Sequence, residues 1–149
     1  MFGLKKRKEN KLEGNKEFNL NDVSYLNKKE MLLHTKLKEK LDEHLLPGET
    51  LLGETSCAGG SYFLTDRRII TINRLIPKAV KKNKDIKQVV VDSIYYGEIS
   101  SITYQDGILG YGSLVIHLKG NIQKGCPTLY EKPCKAIYKL INSKLEYNI

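Results

Sequence analysis

The chain has 149 residues, 40% of them apolar and 28% charged, which is enough for one domain with its own core and too apolar for a disordered body. Its net charge of +8 and pI near 9.3 bias encounters toward nucleic acids, anionic lipid or acidic proteins. Three cysteines, Cys57, Cys126 and Cys134, without C-x-x-C spacing suggest neither a disulfide framework nor a zinc knuckle, and no stretch approaches the ~18 apolar residues of a membrane-spanning helix.

Residues 1–20 are rich in Lys, Glu, Asn and Gly, the composition of a solvated basic tail. The opening "MFGLKKRKEN" lacks the apolar run of a signal peptide, so a cytoplasmic protein is expected, with at most peripheral contact at the inner membrane face. Phe2 and Leu4 stand beside Lys5, Lys6, Arg7 and Lys8, a pattern that inserts a few apolar groups while the cations meet anionic head groups. Residues 21–46 read as an amphipathic helical extension. Leu26, Leu33, Leu37, Leu41 and Leu45 recur at spacings of seven and four and make one stripe, until Pro47 and Gly48 stop the helix. That stripe must be covered, either by the chain's own domain or by a partner, a second copy included.

Beyond Gly48 the period switches to short β-prone runs over 50–56, 61–65, 67–74, 88–97, 99–105 and 113–119, with a weaker seventh over 121–125. In the sixth, Leu114, Ile116 and Leu118 alternate with Val115, His117 and Lys119, so one face enters a core and the other meets water. Gly59-Gly60, Asp106-Gly107 and Gly120-Asn121 are expected to supply the positive φ angles of tight reversals. In "LTDRR", Thr65 and Asp66 suit a reversal between the second and third strands, with the stems of Arg67 and Arg68 on the wall of the sheet and their heads in water. The connection at 75–87, "LIPKAVKKNKDIK", carries Lys78, Lys81, Lys82, Lys84 and Lys87 and is the leading candidate for contact with phosphates or anionic lipid. Ile137, Leu140, Ile141 and Leu145 form the apolar face of a closing helix of about four turns, with Pro133 in its first turn.

No catalytic or metal-binding constellation stands out. His34 and His44 are ten residues apart rather than four, and His117 is alone in a strand. The glycines at 107, 110 and 112 are not set between a strand and a helix as a phosphate-cradling loop requires. Nucleic acid is the competing ligand, since nine tyrosines and the positive charge suit stacking and backbone contacts, yet no nucleic-acid-binding motif is present. No cofactor is implied.

From Leu46 onward the sequence resembles the bacterial pleckstrin-homology-like (PH-like) domain family, through "LLPGETLLGETS", "YFLTDRRIITIN" and "DSIYYGEISSITYQDGILGYGSLVIHLKG" in that order. The resemblance implies a mainly β, α+β fold: a bent seven-stranded antiparallel barrel, spanning 47–149, capped by the C-terminal helix and preceded by the N-terminal one. It also implies an adaptor rather than an enzyme. The first hairpin loop, "SCAGGS", lacks the basic residues of phosphoinositide-binding PH domains. In the family fold the connection at 75–87 lies on the same open rim and restores positive charge there. The expectation is therefore a non-catalytic adaptor for protein assembly at an anionic membrane surface, the alternative being a nucleic-acid-binding accessory protein using its lysine-rich loop and tail.

Overall fold

A computed structural model describes residues 18–57, 59–74, 88–107, 109–125 and 129–146. Helix α1, Lys28–Asp42, starts at a capping box in which the Asn27 side chain accepts from the Glu30 N–H at 2.9 Å and the Glu30 carboxylate accepts from the Asn27 N–H at 3.1 Å. It is shorter than the leucine spacing predicts. Upstream, the side chains of Asn19 and Asp22 accept from the N–H groups of Asn21 and Ser24, two residues on, and these local bonds hold residues 18–27 in turns rather than helix. Leu26 therefore precedes the helix, and Leu45 follows it.

The strands are β1 Leu51–Cys57, β2 Gly60–Thr65, β3 Arg68–Arg74, β4 Val89–Tyr95, β5 Ile99–Asp106, β6 Tyr111–Leu118, β7 Ile122–Gly125 and β8 Leu129–Tyr130. A single 3-10 turn, Tyr96–Glu98, separates β4 from β5, and helix α2, Glu131–Glu146, closes the chain with Pro133 in its first turn. All pairings are antiparallel, in the order β1-β2-β3-β4 for one sheet and β5-β6-β7 for the other, where β8 also pairs with β6. The seven expected strands are present. The eighth is a two-residue pairing of Leu129 and Tyr130 with Gly112 and Tyr111, too short to leave a periodic signal in the sequence.

Two apolar cores follow from this layering. Between the sheets and under α2 lie Tyr62, Leu64, Ile69, Ile94, Ile99, Leu114, Ile116, Ile137 and Ile141, so the expected apolar face of α2 is the one that is buried. On the opposite face of the first sheet, Phe63, Ile70 and Ile72 pack with Leu37 and Leu41 of α1, and Leu33 and Leu45 border the cluster. Strand β2 is consequently buried at every position. Each large side chain in these layers contributes roughly 1.5–3 kcal/mol by leaving water.

The expected tail also overlaps the packed chain. Leu20 lies against the inter-sheet core, and its carbonyl accepts from the Glu54 N–H at 2.9 Å on the side of β1 away from β2. Position 53 has to be glycine for this, since a Cβ there would come within 2.6 Å of the Leu20 Cβ. Gly59, Gly120 and Asn121 have the positive φ angles expected of them. Between β5 and β6 the positive φ angles fall instead on Leu109 (62°) and Gly110 (80°), not on Asp106-Gly107.

Candidate functional site

The five lysines of the connection and the basic leader, Lys5, Lys6, Arg7 and Lys8, lie outside the described residues. Strand β3 ends at Arg74, whose N–H donates to the Gly59 carbonyl at 3.2 Å, which sets the end of β3 beside the β1–β2 turn. The leucines proposed as a contact between copies are turned inward. Leu37 and Leu41 are fully buried on the chain's own sheet, Leu33 and Leu45 are partly buried beside them, and Leu26 is buried ahead of the helix.

Two buried polar clasps hold α1 and the loop after it to the first sheet. In one, His34 Nε2 is 2.9 Å from Glu54 Oε1 and His34 Nδ1 is 2.7 Å from Ser61 Oγ. One tautomer satisfies both bonds, with Nε2–H donating to Glu54 and the Ser61 hydroxyl donating to Nδ1. Lys38 Nζ donates to the other Glu54 oxygen at 2.7 Å, and the His34 ring stacks on Phe63. Burial alone would push the Glu54 carboxyl up, but the bonds from His34 and Lys38 outweigh it and hold it below the usual range. Serine, imidazole and carboxylate in line can activate a nucleophile. Here Ser61 is fully buried beneath α1, where no substrate reaches it, and the network pins the helix.

The second clasp revises the reading of "LTDRR". Arg68 is buried rather than wet: Nε and Nη2 donate to the two Glu49 oxygens at 2.9 and 3.0 Å, Nη1 donates to Ser93 Oγ and Nη2 donates to the His44 carbonyl. Thr65 Oγ1 donates to Glu49 at 2.7 Å and accepts from the N–H groups of Arg67 and Arg68, as its turn role predicts. Asp66 accepts from the Thr50 N–H. Of the two arginines, Arg67 stays exposed, with one Nη2 bond to the Pro47 carbonyl. Hydrogen bonds from Arg68 hold the Glu49 carboxyl down at about 2 despite its burial.

Four-stranded sheets facing one core, with α2 packed on β5 and β6, are an arrangement that solved structures share. The pleckstrin homology domain of Shewanella amazonensis matches at TM-score 0.50 and 21% identity over 74% of this chain and 96% of that one. A DUF1696 family protein with a pleckstrin-homology domain from Shewanella loihica matches at TM-score 0.52 and 17% identity over 74% and 95%. The fold is that of a bacterial PH-like domain. No family model and no curated protein matches the chain.

This PH-like domain also carries an aromatic corner that sequence patterns do not predict. The ring of Phe18 meets Tyr25 at 5.8 Å, Tyr25 meets Tyr130 at 5.4 Å, and Tyr130 stacks on Tyr111 at 5.7 Å. The Tyr130 hydroxyl donates to the Glu30 carboxylate, with its two oxygens at 2.7 and 2.8 Å, and this bond, aided by burial, pushes the phenol up to about 12. Residues 100 apart in sequence meet here, beyond any local motif. Among the described residues no cluster of three or more His, Cys, Asp or Glu side chains could hold a metal ion, and no helix is long and apolar enough to cross a membrane.

Proposed function

We propose that this PH-like chain is a non-catalytic adaptor that assembles with protein partners at an anionic membrane surface, held there by its leader and by the connection at 75–87. The distribution of charge carries this reading. Residues 1–8 contribute four cations and no acid, and residues 75–87 contribute five lysines against Asp85, which together equal the whole net charge of +8. The remaining 16 basic and 16 acidic side chains balance. A neutral body with two concentrated basic segments suits a surface that collects cations at about 1 kcal/mol each, falling off within a Debye length of ~10 Å. The buried clasps belong to the scaffold.

The experiment is sedimentation with vesicles of phosphatidylcholine, alone or mixed with phosphatidylglycerol. Binding to the anionic vesicles is expected, weakened by salt, reduced by Lys81→Glu, Lys82→Glu and Lys84→Glu together, and reduced further by deletion of residues 1–10. Binding that those changes leave untouched would refute the membrane reading. Salt-sensitive capture of RNA or DNA without vesicle binding would transfer the same cations to nucleic acid.

A further inference from the structure

Among the described strands one edge, that of β5, is left unguarded. A free edge is a row of unpaired N–H and C=O groups, and proteins cover it, shorten it or place charge on it to keep other chains from pairing there. Strand β1 is covered by Leu20, whose carbonyl takes the Glu54 N–H, and β7 is four residues long with Lys124 inside it. Strand β4 carries Asp92 at its midpoint, so a full ladder between two β4 edges would set that charge against itself. Strand β5 has eight residues, and from Ile99 to Gln105 none of them is charged or proline.

The outward groups of β5 follow from its ladder. The Gly107 N–H donates to the Tyr111 carbonyl at 2.9 Å, in register with the β5–β6 pairing, so 107 and 111 are a hydrogen-bonded pair. Such pairs alternate along an antiparallel ladder. Gln105, Thr103 and Ser101 therefore bond to β6, while the N–H and C=O of Ile102, Tyr104 and Asp106 point away from it. Among the described residues no main-chain group bonds to them. Ser101, Thr103 and Gln105 expose their side chains on the outer face of the sheet, and Ile102 and Tyr104 face the inter-sheet core. The register shift between Ile99 and Ser101 disturbs only the start of the strand, so the regular uncharged run is 101–105, with Thr103 at its centre.

We propose that this edge pairs with the same edge of a second copy, antiparallel about a two-fold axis at Thr103, to form one continuous sheet through both chains. Residues facing one another across a ladder lie on the same face, so the axis passes through a residue and not between two. Centred on Thr103, the outward groups of each Ile102 meet those of Tyr104 in the other copy, which makes four N–H···O=C bonds. On the inner face each Ile102 lies beside a tyrosine ring; on the outer face Thr103 meets Thr103 and Ser101 meets Gln105, pairs that suit a sheet. Asp106, the single charge of β5, falls opposite Ser100, so no like charges meet. That self-complementarity identifies a second copy as the occupant, because the uncharged run supplies both strands. The leucine stripe of α1 is buried in its own chain and takes no part. The pairing goes beyond the membrane reading, which neither supports it nor falls with it.

Sedimentation velocity of the full chain over a concentration series is expected to show a monomer–dimer equilibrium. Thr103→Lys puts like charges at the axis and is expected to weaken the dimer at least about tenfold. Thr103→Val also loses the 3.0 Å bond to His117 Nε2, but it stays β-branched and uncharged and is expected to keep the dimer. Cysteine reads the register. At the axis the two Cα atoms of a non-hydrogen-bonded pair lie about 4.5 Å apart, within disulfide range, so Thr103→Cys is expected to cross-link under mild oxidation. Gln105→Cys alone is expected not to, its two copies being about 14 Å apart, whereas mixed with Ser101→Cys it is expected to link as a heterodimer. The unmodified chain, oxidised in parallel, accounts for Cys57, Cys126 and Cys134. A chain monomeric throughout the series would overturn the pairing and leave the edge to a foreign strand. A dimer that Thr103→Lys leaves equally tight, or in which Gln105→Cys cross-links as fast as Thr103→Cys, would overturn it as well and assign the contact to another surface.

Discussion

Arg68 and Glu49 form a fork-to-fork pair, with two N–H···O bonds of 2.9 and 3.0 Å, the Glu49 side chain fully buried and the guanidinium nearly so. The remaining guanidinium bonds run to the His44 carbonyl and Ser93 Oγ, so one side chain ties the loop after α1 to both β3 and β4. Five fixed donors suit this geometry, and an ammonium could not reproduce it. Removing one partner strands a buried charge. Glu49→Ala or Arg68→Met is expected to cost roughly 3–5 kcal/mol in urea-unfolding measurements, far more than Arg67→Met on the exposed neighbour.

The same pair sets an acid limit. The Glu49 carboxyl falls from 4.5 to about 2 in the folded chain, so the unfolded state binds the extra proton first. Its stabilisation is therefore complete above about pH 5 and is lost as the pH falls from the usual carboxylate range through about 2. The linkage amounts to roughly 3 kcal/mol at most. Urea midpoints measured stepwise from pH 6 to pH 2 are expected to drop steeply in the unmodified protein. Glu49→Gln, less stable at pH 6, should lack that portion of the slope; an equal slope in both would show that other carboxylates carry it.

His34 and Glu54 are the second clasp, and their coupling is measurable apart from the rest. A double-mutant cycle with His34→Ala and Glu54→Ala is expected to give an interaction energy of about 1–3 kcal/mol, because each single change leaves a buried polar partner unmatched. Lys38 keeps an exposed stem, so Lys38→Met should cost under about 1 kcal/mol. Additive single changes in the cycle would mean that the network contributes packing alone.

Periodicity made much of this molecule legible before its structure. Leu114 and Ile116 are buried in β6 at alternate positions, Ile137 and Ile141 are buried one turn apart in α2, and the glycine turns at 59 and 120 reverse the chain where expected. These features are local, and a period of two or 3.6 reports them. What escaped depends on distance in the sequence. Glu54 reads as an ordinary polar residue in a strand until α1 covers that face and brings His34 and Lys38 to it. The burial of β2 on both faces has the same cause, since the alternation that marks a half-exposed strand disappears when a helix lies on its outer side. Phe18, Tyr25, Tyr111 and Tyr130 share no motif, so their corner exists only in three dimensions. The lysine segments were legible as charge alone.

The contact between Gly53 and Leu20 decides whether residues 18–26 belong to the body or merely lie on it. Leu20 borders the inter-sheet core, receives one main-chain bond from Glu54 and occupies the space where a Cβ at position 53 would project. Downstream, the Tyr25 hydroxyl is 2.6 Å from Thr55 Oγ1, a second tie to the same strand. If the segment is integral, Gly53→Ala must displace backbone as well as side chain, because the nearest atom is the Leu20 Cβ rather than a flexible end. A cost of about 1–3 kcal/mol is expected, with faster proteolysis between Phe18 and Leu26 under native conditions. Leu20→Gly removes the obstructing atom at the cost of its own burial, so the double variant Leu20→Gly, Gly53→Ala should be less destabilised than the sum of the two. Full additivity, with unchanged cleavage in Gly53→Ala, would mean that the segment rests on β1 without being fitted to it.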